Sequence, residues 1–200
     1  FDNTTTDLYC FALCEDKNLS RKISSLDNLF SGAIENAKKL EDFKGKSGKS
    51  LLVYGNESIK RIQISGLGNS DKINSDSLRV LGAKFARNAN SMKCENISID
   101  AESFHLKNDD NLHALCEGLM LGSYEFLDYK SKVENSNTLN TVNICGEASE
   151  TIINSGKIIG DSVAFARDLG NHPANILTPT LMAKEAKDIA KADNFKYTCY

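Results

Sequence analysis

The chain has 200 residues, 40% hydrophobic and 26% charged, the profile of a folded globular chain rather than a disordered or fibrous one. Its net charge of -3 argues against a dedicated binder of nucleic acid or anionic membrane, since such proteins carry a basic excess. No apolar run approaches the roughly 18 residues that span a bilayer, and the start, Phe1-Asp2-Asn3-Thr4, resembles no signal peptide and lacks an initiator Met, so a processed or truncated chain is expected.

In chain order, residues 8–13 form a short apolar strand pattern. Residues 27–40 carry Leu29, Phe30, Ala33, Ile34, Ala37 and Leu40, the spacing of one helix with a single buried face. A lysine-rich loop precedes a strand at 51–54, a turn at Gly55-Asn56 and an alternating strand at 59–65 that Gly66-Leu67-Gly68 is expected to break. Leu78, Leu81, Phe85 and Ala89 predict a helix over 78–92, and Ile97 and Ile99 a strand over 96–101. Asp109 or Asp110 is a candidate cap for the next helix, through Leu112, Leu115 and Leu119 and as far as Phe126. A strand at 139–145 and a long helix at 151–172 follow. Both prolines then mark a turn: Pro173 stops a helix, and Thr178-Pro179 starts another with a hydroxyl cap and a proline in the first turn. That helix covers 179–191, and residues 195–200 alternate as a strand. Strands alternating with helices specify an α/β layered fold.

No motif of residues names an active site. Gly45-Lys46-Ser47-Gly48-Lys49-Ser50 ends like a phosphate loop, but the required first glycine would fall at Phe43. A helix also precedes it and a strand follows, the reverse of the order that aims helix N–H dipoles at phosphate. It reads as a solvated turn. Lys38, Lys39, Lys44, Lys46 and Lys49 beside Glu41 and Asp42 read as a solvated face, with a modest anion patch as the alternative. Gly66-Leu67-Gly68-Asn69-Ser70-Asp71 has Asp71 where a dinucleotide fingerprint needs its third glycine, so a structural turn is expected. His105, His113 and His172 form no constellation. Cys10 and Cys14, four apart on a strand, lie roughly 13 Å from one another. With Cys94, Cys116, Cys145 and Cys199 they read as buried reduced thiols of a cytosolic protein.

Four segments nevertheless resemble one family, in its order. Residues 166–179, "ARDLGNHPANILTP", resemble the "ARDLxNxPANxLTP" segment of the leucyl (cytosol) aminopeptidases. Residues 43–48 are similar to their "FKGKxG", 64–68 to their "xxGLG" strand end, and 117–132 to their "EGLxLGxYxFxxYKSK" helix. Gly170 and His172 depart from the commoner wording of the first segment.

The resemblance implies a three-layer α/β/α, macro-like N-terminal domain with a mixed sheet over 1–150 and a connecting helix over 151–172. Residues 173–200 would be the truncated start of a catalytic α/β domain, its first helix and strand. It further implies a cytosolic enzyme, typically hexameric, that hydrolyses N-terminal residues from peptides with leucine-like side chains preferred. Two divalent metals, zinc or manganese, would serve it. The family's metal-binding motifs, similar to "VGKGxTFDSGG" and "NTDAEGR", do not occur in these residues, so no catalytic, cofactor-binding or metal residue is assigned here. The segment would serve assembly and regulation. The alternative is a stand-alone macro-like module holding an ADP-ribose-type ligand or nucleic acid.

Overall fold

A computed structural model describes residues 5–131 and 137–199. The sheet has the order β2-β3-β1-β4-β5, formed by β1 (Leu8–Cys14), β2 (Ser50–Tyr54), β3 (Arg61–Gly68), β4 (Asn96–Asp100) and β5 (Thr141–Cys145). Only β2 runs antiparallel to its neighbour; β3, β1, β4 and β5 are mutually parallel. The sheet is therefore mixed.

The central strand β1 is buried along its whole length, as a strand covered on both faces must be. Its alternation divides the core. Leu8, Cys10 and Ala12 join one apolar cluster with Leu78, Phe85, Leu112 and Leu115. Tyr9, Phe11 and Leu13 join a second with Ile23, Leu26, Ile34 and Phe43. The first cluster is roofed by α3 (Ser75–Ser91) and α4 (Asp109–Ser123), the second by α1 (Arg21–Leu29) and α2 (Ala33–Leu40). Three layers result, α/β/α.

Several boundaries differ from the sequence reading. The single helix expected over 27–40 is two helices, because Ser31 (φ 54°) and Gly32 (φ 79°) take left-handed conformations that turn the chain. Asp27 then caps the second helix: its carboxylate accepts from the Ile34 N–H at 2.7 Å and the Glu35 N–H at 3.4 Å. Gly66-Leu67-Gly68 does not break β3 but completes it, pairing with Leu13 and Cys14 of β1. Asn108, rather than Asp109 or Asp110, caps α4, and that helix stops at Ser123, short of Phe126. No strand forms over 195–199, since none of the described strands lies beside it to complete a ladder; Tyr200 lies outside the described residues.

Close backbone approach fastens α4 on both sides. A Cβ on Gly118 would lie 2.0 Å from the Arg79 carbonyl oxygen of α3, and one on Gly82 2.3 Å from that of Leu115. Helix α5 (Glu150–Asn171) crosses the opposite side of α4, where Gly160 would meet the Met120 Cβ at 2.2 Å. Finally α6 (Pro179–Ala192) forms as expected, with the Thr178 hydroxyl accepting from the Leu181 N–H.

Candidate functional site

The four recognisable segments pair off in space. Residues 43–48 and 64–68 pack on one another at the carboxyl end of β3. Gly68 donates its N–H to the Gly45 carbonyl at 2.9 Å, Gly66 to that of Lys49 at 2.8 Å, and the Gly68 carbonyl accepts from Glu15. A Cβ at Gly66 would fall 2.1 Å from the Lys46 carbonyl oxygen. These glycines serve backbone packing, and the two N–H groups that could have faced a diphosphate are spent on carbonyls. The expected structural turn is instead the paired end of β3, and its glycine N–H groups are not turned toward an anion.

The other two segments form a clasp around the end of α5. The Tyr124 hydroxyl donates to Asp168 at 2.7 Å and accepts from the Asn171 amide at 2.8 Å. The Arg167 guanidinium stacks 3.9 Å from the centre of the same ring. One turn on, the Tyr129 hydroxyl and His172 Nδ1 are 2.7 Å apart, and the Phe126 ring meets the His172 ring edge-on with centroids 5.3 Å apart. Burial and the bond to the Asp168 carboxylate raise the Tyr124 phenol above its ordinary range. Immediately after His172, the Pro173 carbonyl accepts from Ile176 and Leu177, shaping the turn into α6. The clasp thus sets the direction in which the chain leaves α5. Sequence reasoning missed it: Tyr124 and Asp168 are 44 positions apart, and no spacing rule links two separately recognised segments.

Other candidates resolve as structure. In open α/β sheets ligands bind beyond the carboxyl ends of the strands at a switch point. Here the carboxyl end of β4 carries the buried Asp100, whose carboxylate lies 2.5 Å from the Lys22 ammonium. Burial lowers the Lys22 pKa, but Asp100 and Tyr9 outweigh it and raise the value, while burial pushes the Tyr9 phenol up to about 12. His113 lies 4.0 Å from Glu117, His105 faces solvent in a left-handed turn, and His172 belongs to the clasp. All six cysteines are free thiols; Cys10, Cys14, Cys94 and Cys116 are buried as expected, whereas Cys145, at the edge of the second apolar cluster, is half-buried and Cys199 is exposed. Burial pushes the Cys116 thiol up to about 11. Among the described residues no group of three or more His, Cys, Asp or Glu is arranged to hold a metal ion, and no helix is long and apolar enough to cross a membrane.

A family model described as the cytosol aminopeptidase family, N-terminal domain, matches residues 8–133. The chain belongs to that family. Among curated relatives, the chain is 31% identical over 199 residues to a probable cytosol aminopeptidase of Persephonella marina, covering 95% of this chain and 40% of the relative. It is 32% identical over 208 residues to one of Sulfurihydrogenibium sp., covering 100% of this chain and 41% of that protein. The chain thus spans about two fifths of the curated relatives it matches. Among solved structures, a tomato leucine aminopeptidase mutant superposes with a TM-score of 0.77 at 31% identity, covering 94% of this chain and 40% of the other. The bottromycin maturation enzyme BotP shares the fold, with a TM-score of 0.75 at 17% identity over 96% of this chain and 38% of that one.

Proposed function

We propose that this chain is the N-terminal part of a cytosolic leucyl-type metalloaminopeptidase that removes N-terminal residues, leucine-like ones preferred, from peptides. Residues 1–150 would form a domain for assembly and regulation, 151–172 a connecting helix, and 173–200 the start of the catalytic domain. The observation that carries this reading is the full-length match to cytosol aminopeptidases more than twice as long. Exposed apolar side chains on α5 and α6 agree with it. Ile158, Val163, Phe165, Leu181, Met182 and Ile189 face solvent on helices whose other sides are packed or polar, a surface suited to cover by a further domain.

The side chains described here do not fit a two-metal centre, because such a site needs converging carboxylate or imidazole donors and none converge among the described residues. Two divalent ions, zinc or manganese, would be held outside these residues, and no residue of this chain is given a part in the hydrolytic step. Six copies would assemble in the full enzyme. The test compares two polypeptides. The purified 200-residue chain should not hydrolyse leucyl-p-nitroanilide with zinc or manganese added. The product of a reading frame continued past Tyr200 should do so, and lose activity to a chelator. Chelator-sensitive turnover by the short chain, or inactivity of the long one, overturns the reading.

A further inference from the structure

Between α3 and the β2–β3 edge of the sheet lies an open cleft of about 310 Å³. Its floor comes from the alternation of β3. Ile62 and Ile64 point into the α1/α2 core, so Gln63 and Ser65 point the other way, toward α3. Both are buried, at 4% and 2% exposure, on a face where a helix layer would ordinarily demand apolar side chains. Burying polar groups is costly unless they are paired. Gln63 donates to the Ser65 hydroxyl at 3.1 Å and accepts from the Asn88 amide at 3.4 Å. That leaves the Ser65 hydroxyl proton free to serve a guest in the cleft.

The rim is basic. Lys49 reaches it from the turn before β2, and Lys84 from α3. Within the same run Lys38 is paired with Glu35 and Lys44 with Asp42, whereas Lys49 and, on α3, Lys84 have no carboxylate partner among the described residues. Asp76, the one carboxylate in the lining, is already held by Arg79. The hydroxyls of Ser47 and Ser50 add unspent donors. Val80 and Leu81 supply an apolar wall.

We infer that this cleft binds a small phosphate monoester with a hydroxylated body, on the order of a pentose phosphate in size. Two unpaired ammonium groups match a dianion, and lysine serves phosphate as a compact point charge with rotatable donors. A monocarboxylate would leave one of the cations uncompensated. The volume lies at the small end of ligand pockets, which run from about 300 to 1,000 Å³. The turn at residues 45–50 thereby acquires an anion-binding role in which its lysine and hydroxyls, rather than a helix N-terminus, meet the phosphoryl group.

The experiment is calorimetric titration of the 200-residue chain at low salt with ribose 5-phosphate, inorganic phosphate, ribose and acetate. Ribose 5-phosphate should bind with a dissociation constant of about 1 mM or tighter, and ribose and acetate should not bind. Equal affinity for inorganic phosphate would identify the phosphoryl group alone as the ligand, and weaker affinity would add the sugar. Lys49→Ala and Lys84→Ala should each weaken binding by about fivefold, the scale of one exposed charge contact. Both side chains are exposed, so thermal melting of the variants should match the parent and exclude misfolding. No binding of ribose 5-phosphate up to about 10 mM, unchanged affinity in both variants, or acetate binding as tight as phosphate overturns the inference.

Discussion

Gly118→Ala should destabilise the protein even though alanine is the better helix former. In a solvated helix the exchange gains about 1 kcal/mol from propensity. At Gly118 the new Cβ would sit 2.0 Å from the Arg79 carbonyl oxygen and 2.8 Å from its carbon, both backbone atoms of α3. Restoring ordinary contact at 3.4 Å requires α3 and α4 to part by 3.4 − 2.0, or 1.4 Å. No rotamer change can relieve this, and the displacement opens the layer over Leu78, Phe85, Leu112 and Leu115. Overpacking typically costs 1–3 kcal/mol, and a backbone obstacle belongs at or above the upper end, so a net loss of about 2 kcal/mol is expected. That lowers the melting temperature by about 4–8 °C for a chain of this size. Gly170→Ala is the internal control. It makes the same exchange in α5, where the new Cβ would meet nothing within 4 Å beyond its own helical backbone. It should stabilise by about 0.5 kcal/mol. Urea unfolding followed by circular dichroism reads both through the midpoint at constant slope. A Gly118→Ala midpoint at or above the parent's, or an equal loss in Gly170→Ala, would refute the close-packing argument.

Asp27→Ala should cost about 1–2 kcal/mol in the same urea assay, because it strips the cap from α2 at a buried site, and Asp27→Asn should recover part of the loss. Burial raises the Asp7 pKa, but the Lys60 ammonium at 2.6 Å and the N–H groups of Asn96 and Glu95 outweigh it and leave the value lowered. A depressed carboxylate stabilises above its unfolded pKa, near 3.8, and the contribution disappears as pH falls through the folded value. The urea midpoint should therefore drop on acidification below about pH 4, and Asp7→Asn should flatten that part of the profile. Tyr124→Phe keeps the ring under Arg167 but removes both hydroxyl bonds to Asp168 and Asn171. Hydrogen exchange over the last turn of α5 should quicken while α3 stays unchanged, and equal protection in the variant would argue against a clasp.

Local chemistry makes much of the fold legible in the sequence. The apolar run of β1, the apolar stripe of α3, and the proline and threonine that bracket the turn between α5 and α6 depend on neighbours within a few residues, and each lies where expected. The break between α1 and α2 was less legible, since Leu29 and Phe30 continue the apolar spacing through a turn that Gly32 and the Asp27 cap impose. Long-range relations could not be read at all. The polar pair Gln63 and Ser65 looks like a solvated strand face until α3 closes over it, and Lys49 and Lys84 meet one cleft only because β2 folds back on β3. Likewise Tyr124 and Asp168 become partners only when Gly156 and Gly160 of α5 let that helix pack closely on α4. Side-chain periodicity reports which face of an element is buried; what that face meets is settled by chain reversals that bring distant residues together.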